Sequence, residues 1–126
     1  MIRKTLLIKK KILIIGAGIE QVDLILSAKK LGLFTIVTDA KTNAPGRRFA
    51  DIFYKIDTRD IFGNLKIAIK HKIHAVTSIC SETAVTTTNQ VAKKLSLPSL
   101  EEFTVKNATN KLFMKKNFKR NKIKTS

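Results

Sequence analysis

Lys11-Ile12-Leu13-Ile14-Ile15-Gly16-Ala17-Gly18-Ile19-Glu20-Gln21, the stretch KILIIGAGIEQ, decides the fold. The aliphatic run Ile12 to Ile15 leaves no polar position for a solvated face, so it predicts a strand buried on both sides, as in a parallel sheet. Gly16-Ala17-Gly18 closes the run in a tight turn. From Ile19 to Leu31 the residues Val22, Ile25 and Leu26, with Leu24, Ala28 and Leu31 beside them, form a wide helical stripe that Gly32 stops.

Downstream the alternation repeats. Phe34 to Thr38 reads as a second strand, and Asp39 to Arg48, with Asn43, Pro45 and Gly46, as an ordered turn region before a third strand, Ile52 to Ile56. Asp57-Thr58-Arg59-Asp60 opens a helix whose apolar residues Ile61, Leu65, Ala68 and Ile69 share one face, and His71 to His74 lead into a fourth strand, Ala75 to Ile79. Ser81 can cap the next helix, which carries Ala84, Thr88, Val91, Ala92 and Leu95 inward and ends before Pro98. Strands alternating with helices predict an α/β fold: a Rossmann-like parallel sheet in the order 3-2-1-4 with helices on both faces. Ligands of such sheets bind at the carboxyl ends of the strands. Those ends carry Gly16 to Gln21, Asp39 to Arg48, Asp57, Thr58 and Cys80 to Thr83.

After Pro98 the pattern changes. Leu100 to Val105 predicts a short helix, Asn107 or Thr109 can cap another, and Lys111 to Arg120 is a basic helix with Met114 and Phe118 on an apolar edge. The chain thus divides into a basic extension at 1–10, a Rossmann-like domain at 11–105 and a basic C-terminal helix at 106–126. With nothing left for its edge to pack on, that helix is expected to be the truncated start of a further domain, or to pair with a second copy in a homodimer.

Composition bounds the function classes. The 126 residues suit one domain, and aromatics at 6 % make the core aliphatic. A single cysteine, Cys80, allows neither an internal disulfide nor a thiolate metal site, which fits a cytoplasmic protein. No apolar run approaches the ~20 residues of a membrane helix. The net charge of +16 is concentrated at the ends: 1–11 and 104–126 hold 13 basic residues and no acid, whereas 12–103 holds 12 basic against 9 acidic residues. The body is nearly balanced and aromatics for stacking bases are scarce, so no specific nucleic-acid partner is expected.

The turn at 16–18 follows a strand and opens a helix, the context of a phosphate-cradling glycine turn, and Asp39 stands where a ribose-binding acid would. Gln21, however, occupies the position of the fingerprint's third small residue. A dinucleotide site and a tight turn without a ligand both remain open. Glu20 and Glu82 can bind an amine or orient a substrate, yet an acid in a first helical turn is also favourable through the helix dipole alone. His71 and His74 flank a helix-to-strand junction with no carboxylate near in sequence, so no metal site is expected there.

Four segments together, KILIIGAGIEQVDLILSAKKLG, VTDAKTNAPGRRFAD, AVTSICSETAVTTTNQVAKKLSLP and NATNKLFMKKNFKRNKIKTS, resemble in their order the ATP-grasp superfamily, in its carbamoyl-phosphate-synthase large-chain type. The likeness covers about residues 11 to 126 and rests on the GxGxxQ turn, the NAPG loop, the Ser-Glu pair after the fourth strand and the Asn-Lys pair opening the last helix. It implies a pre-ATP-grasp domain that lines the substrate side of a cleft, with Gly16, Gly18, Glu20, Gln21, Asp39, Ser81 and Glu82 toward a small-molecule carboxylate or amine. ATP and magnesium would be held by a later domain, to which Lys111 contributes the cation that reaches the nucleotide phosphates. The implied reaction activates a carboxylate as an acyl phosphate, which an amine or thiol attacks. The second ATP lysine, the glycine-rich flap and the metal ligands implied by the resemblance do not occur in these residues, so this chain alone is expected to be inactive and to bind no cofactor. A stand-alone dinucleotide module and a basic nucleic-acid binder are the competing readings.

Overall fold

The computed structural model describes residues 9–79 and 82–98. The predicted basic extension lies almost wholly outside them, as do Cys80, Ser81, Lys111 and the predicted helices at 100–105 and 111–120. Four strands, β1 (Lys11–Ile15), β2 (Phe34–Asp39), β3 (Ile52–Lys55) and β4 (Ala75–Thr77), form one sheet in the order β3-β2-β1-β4. Every pairing is parallel. Helices α1 (Val22–Lys30), α2 (Ile61–His71) and α3 (Glu82–Leu95) cover it.

The unbroken apolar run of β1 is explained by two cores, one on each side. Ile12 and Ile14 join Ile25 and Ala28 of α1, with Val37 and Ala44, whereas Leu13 and Ile15 join Ile67 and Ala68 of α2 and Ala84 and Val91 of α3. Burying a side chain of this size stabilises the fold by about 1.5–3 kcal/mol. A slip of one residue in β1 would exchange the two sets, so its register is fixed from both faces.

Of the boundaries that differ from the sequence reading, three have a local reason, while β1 and β2 each gain one residue, Lys11 and Asp39, and the first helix ends at Lys30. The first helix begins as a 3-10 turn, Ile19–Gln21, in which the Gln21 N–H bonds the Gly18 carbonyl at 2.8 Å. β3 ends at Lys55, although the Ile56 N–H still reaches the Asp39 carbonyl at 3.0 Å. β4 ends at Thr77 because Ser78 and Ile79 turn aside to meet Gln21. Asp60 caps α2 by accepting the Gly63 N–H at 2.8 Å. No described helix is long and apolar enough to cross a membrane.

Candidate functional site

The carboxyl end of β1 is held from three directions. Gly16, at φ +108°, adopts a backbone that side chains rarely reach, and its N–H bonds the Thr38 carbonyl at 2.7 Å. The Ala17 N–H donates to Asp39 Oδ2 at 2.8 Å, and the Ala17 carbonyl accepts the Gly46 N–H at 2.7 Å. Gly46 has no room for a side chain: a Cβ there would stand 2.7 Å from Ile25 Cδ1 and 3.0 Å from the Ala17 oxygen. The loop after β2 is therefore locked onto the turn after β1. Asp39 Oδ1 accepts the Lys41 N–H at 2.9 Å, so both carboxylate oxygens brace loops.

Gln21 is only 3 % exposed. Its Nε2 lies 2.8 Å from the Ile79 carbonyl, 3.0 Å from Ser78 Oγ and 3.4 Å from the Ile15 carbonyl. An amide nitrogen has two hydrogens, so the two shorter contacts take them. The Ser78 hydroxyl then passes its own hydrogen to the Ile15 carbonyl. This side chain staples the ends of β1 and β4 and fills the space over Gly16, where a Cβ would come within 2.8 Å of Nε2. Its Oε1 is buried without a hydrogen-bond partner among the described residues.

Glu20 is exposed, and its carboxylate folds back over Gly18: a Cβ at Gly18 would lie 2.7 Å from Oε1. Glu82 is exposed at the start of α3, on the connection that follows β4, the neighbour of β1. The structure thus gathers Gly16, Gly18, Glu20, Gln21 and Asp39 around one turn and sets Glu82 on the adjoining connection. Ser81 and Lys111 lie outside the described residues.

Two buried polar residues beneath the site were not singled out from sequence. Asn64, fully buried in α2, accepts the Thr38 hydroxyl at Oδ1 (2.7 Å) and donates to the carbonyls of Asp60 (2.9 Å) and Asp57 (3.1 Å). It joins the end of β2 to the turn after β3. A polar residue three positions after Ile61, on the inward stripe, was the available signal. Beside it, hydrogen bonds from the Arg59 side chain and then its backbone N–H hold the Asp57 carboxyl down at about 2. The histidines are engaged separately: Tyr54 Oη lies 2.7 Å from His71 Nε2, and His74 Nδ1 accepts the Lys11 N–H at 2.9 Å.

The chain resembles the amino-terminal, pre-ATP-grasp region of ATP-grasp ligases. It is 43 % identical over 53 residues to the formate-dependent phosphoribosylglycinamide formyltransferase of Prochlorococcus marinus, a stretch that is 42 % of this chain and 14 % of that enzyme. The N5-carboxyaminoimidazole ribonucleotide synthetase of Thermotoga maritima superposes with a TM-score of 0.55 at 26 % identity, over 68 % of this chain and 23 % of the synthetase. Phosphoribosylglycinamide synthetase from Anaerococcus prevotii gives a TM-score of 0.62 over 84 % of this chain and 30 % of that protein, and at 24 % identity it shows the shared fold. The chain therefore spans less than a third of the length of each. No family model matches it.

Proposed function

We propose that this chain supplies the substrate-side domain of an ATP-dependent ligase of the ATP-grasp type, and that the turn after β1 receives the amine of the acceptor. One observation carries the proposal: where a dinucleotide phosphate would approach the turn, the chain has placed its own carboxylates. Glu20 lies over Gly18 and Asp39 holds the Ala17 N–H. A carboxylate in that position repels a phosphate and attracts an ammonium group. An ammonium held by Glu20, with Glu82 on the adjoining connection, gives up one proton to a carboxylate acting as general base, and the resulting amine then has its lone pair free for an electrophile.

The residues of the turn do not fit a nucleotide phosphate, so no step through ATP is assigned to them. ATP and magnesium belong, in this proposal, to the part of the relatives that the match does not cover, with Lys111 as the contribution of this chain. The 126 residues alone would turn over no ATP. A carbamoyl-phosphate-synthase-like branch, a cytoplasmic location and a homodimer are part of the same proposal. Nucleic acid would bind only weakly and with strong salt dependence, since 13 of the 25 basic residues lie in the acid-free ends.

Calorimetry tests the proposal, with glycinamide as the amine probe because two relatives carry that group in their names. Glycinamide should bind, and Glu20→Gln should weaken it, whereas NAD and NADP should give no saturable heat. A dissociation constant near 1 μM for NAD, about −8 kcal/mol, would restore the dinucleotide module.

A further inference from the structure

The solvent side of α2 carries apolar side chains where a surface helix ordinarily carries polar ones. Phe62 is 78 % exposed and Ile69 is 56 % exposed, and Phe62 is the most exposed large apolar residue among those described. The apolar spacing predicts Ile69 on the inward face, but the burial of Asn64, Ile67 and Ala68 on the opposite side of the helix turns it outward. Phe62 and Ile69 are seven residues apart, two turns or about 10.5 Å along the axis, so they lie on one line. Leu65, half-buried against the core below, falls between them. Phe62, Leu65 and Ile69 thus have the a, d, a spacing of a seam that packs against another helix. Apolar residues scattered over a surface have no such register.

Charge decides which helix fits. Lys66 and Lys70 are exposed along one side of the seam, and Lys72 follows at the end of α2. None of the three enters an ion pair among the described residues. The Lys70 ammonium lies over the Tyr54 ring, 5.7 Å from its centre. No acid occurs from 61 to 81. The acids at the Phe62 end are engaged: Asp60 caps α2 through the Gly63 N–H, and Asp57 pairs with Arg59 at 3.0 Å. A second copy of α2 laid antiparallel would therefore offer these lysines no unengaged carboxylate, and two chains of net charge +16 repel each other at long range. A helix with carboxylates beside its own apolar seam matches both features.

We propose that the outer face of α2 docks an acidic amphipathic helix of a partner protein, with Phe62 and Ile69 as anchors and Lys66 and Lys70 as the charged flank. Burial of the seam supplies the affinity, and the lysines select the sign of the partner. The surface lies along the helix and not at the glycine turn, so it stands or falls apart from the reading of Glu20.

The probe is a synthetic three-heptad peptide with leucine at a and d and glutamate at e and g, whose like charges keep it from pairing with itself. It is titrated into the isotope-labelled full chain, following the amides of Phe62, Leu65, Lys66 and Ile69 by NMR. Saturable shifts centred on these four amides are expected. Phe62→Ser and Ile69→Ser, both at exposed positions, should each weaken binding at least about fivefold. Leu31→Ser, at an exposed apolar position ending α1 on the other side of the sheet, should leave it unchanged. Lys66→Glu should weaken this peptide and strengthen a counterpart with lysine at e and g. A peptide with serine at a and d and the same glutamates separates docking from bulk attraction to a cationic chain, and should give no saturable shift at α2. No saturable shift with the leucine peptide, equal binding by the serine peptide, or a Phe62→Ser chain that binds like the parent would each overturn the surface. A dimer of the free chain that Phe62→Ser abolishes would assign the face to a second copy, and equal shifts with phosphatidylserine vesicles would assign it to a membrane. Either result overturns the acidic helix.

Discussion

Gln21 Nε2 donates to the Ile79 carbonyl at 2.8 Å, so the residue that ends the glycine turn of β1 is bonded to the chain leaving β4, 58 positions on. The crevice between these two strand ends is where a sheet in the order β3-β2-β1-β4 reverses its winding, the place such folds use for ligands. Its floor is set by one amide.

Replacing that amide should be costly and local. Gln21→Ala leaves the Ile79 carbonyl and the Ser78 hydroxyl without their donor and opens a void over Gly16, for a combined loss of about 2–4 kcal/mol. Gln21→Glu should be worse, because it turns a carboxylate toward carbonyl oxygens. Urea unfolding measures both. An unchanged midpoint for Gln21→Ala would show that the staple contributes nothing to stability.

A second prediction concerns Asn64. Asn64→Leu keeps the volume but removes the acceptor of the buried Thr38 hydroxyl and one of the two donors to each of the Asp57 and Asp60 carbonyls. Those carbonyls keep the backbone N–H groups of Asp60 and Asn64, and the change should cost about 1–3 kcal/mol. Asn64→Asp replaces two donors facing those carbonyls with acceptors, and should cost more. If Asn64→Leu proved neutral, apolar packing would suffice beneath the site.

The fold was legible in β1 because Ile12 to Ile15 leave no solvated face, and the strand order followed from right-handed crossovers. That Glu20 and Asp39 lie at the carboxyl end of the sheet was legible from their positions after strands. What Asp39 does there was not, because its two bonds, to Ala17 and Lys41, depend on how two loops dock. Gln21 could be seen to break a fingerprint, but its bond to Ile79 had no sequence signal.

A third prediction is a gain. α2 ends at Lys72 with φ 53° and ψ 57°, a left-handed conformation that an L side chain adopts at a cost of about 1–2 kcal/mol and that glycine adopts freely. Lys72→Gly recovers part of this, offset by the greater freedom of glycine in the unfolded chain, for a net gain of up to about 1 kcal/mol. Thermal unfolding should show a higher midpoint, and a lower one would mean that the Lys72 side chain makes a stabilising contact of its own.

The last prediction is a two-step loss of stability in acid. Burial first, then the nearby charges of Lys11 and Lys70, lower the His71 pKa below 6.5, and the ring nitrogen faces Tyr54 Oη at 2.7 Å. The unfolded chain therefore binds this proton before the folded one. The contribution is present above pH 6.5 and is lost as the pH falls from there through the folded value. Asp51 and Asp57 act with the same sign in a lower window. At Asp51 burial raises the pKa but is outweighed by hydrogen bonds from Thr35 and then Lys29; at Asp57 the Arg59 contacts hold it at about 2. Their contributions are present above 3.8 and are lost as the pH falls below it. His71→Gln keeps a polar partner for Tyr54 and removes the titration, so it should flatten only the upper step in urea midpoints taken from about pH 7.5 to 3. A parent protein that gains stability on acidification through pH 6.5, or an upper step that survives His71→Gln, would assign that step to another group.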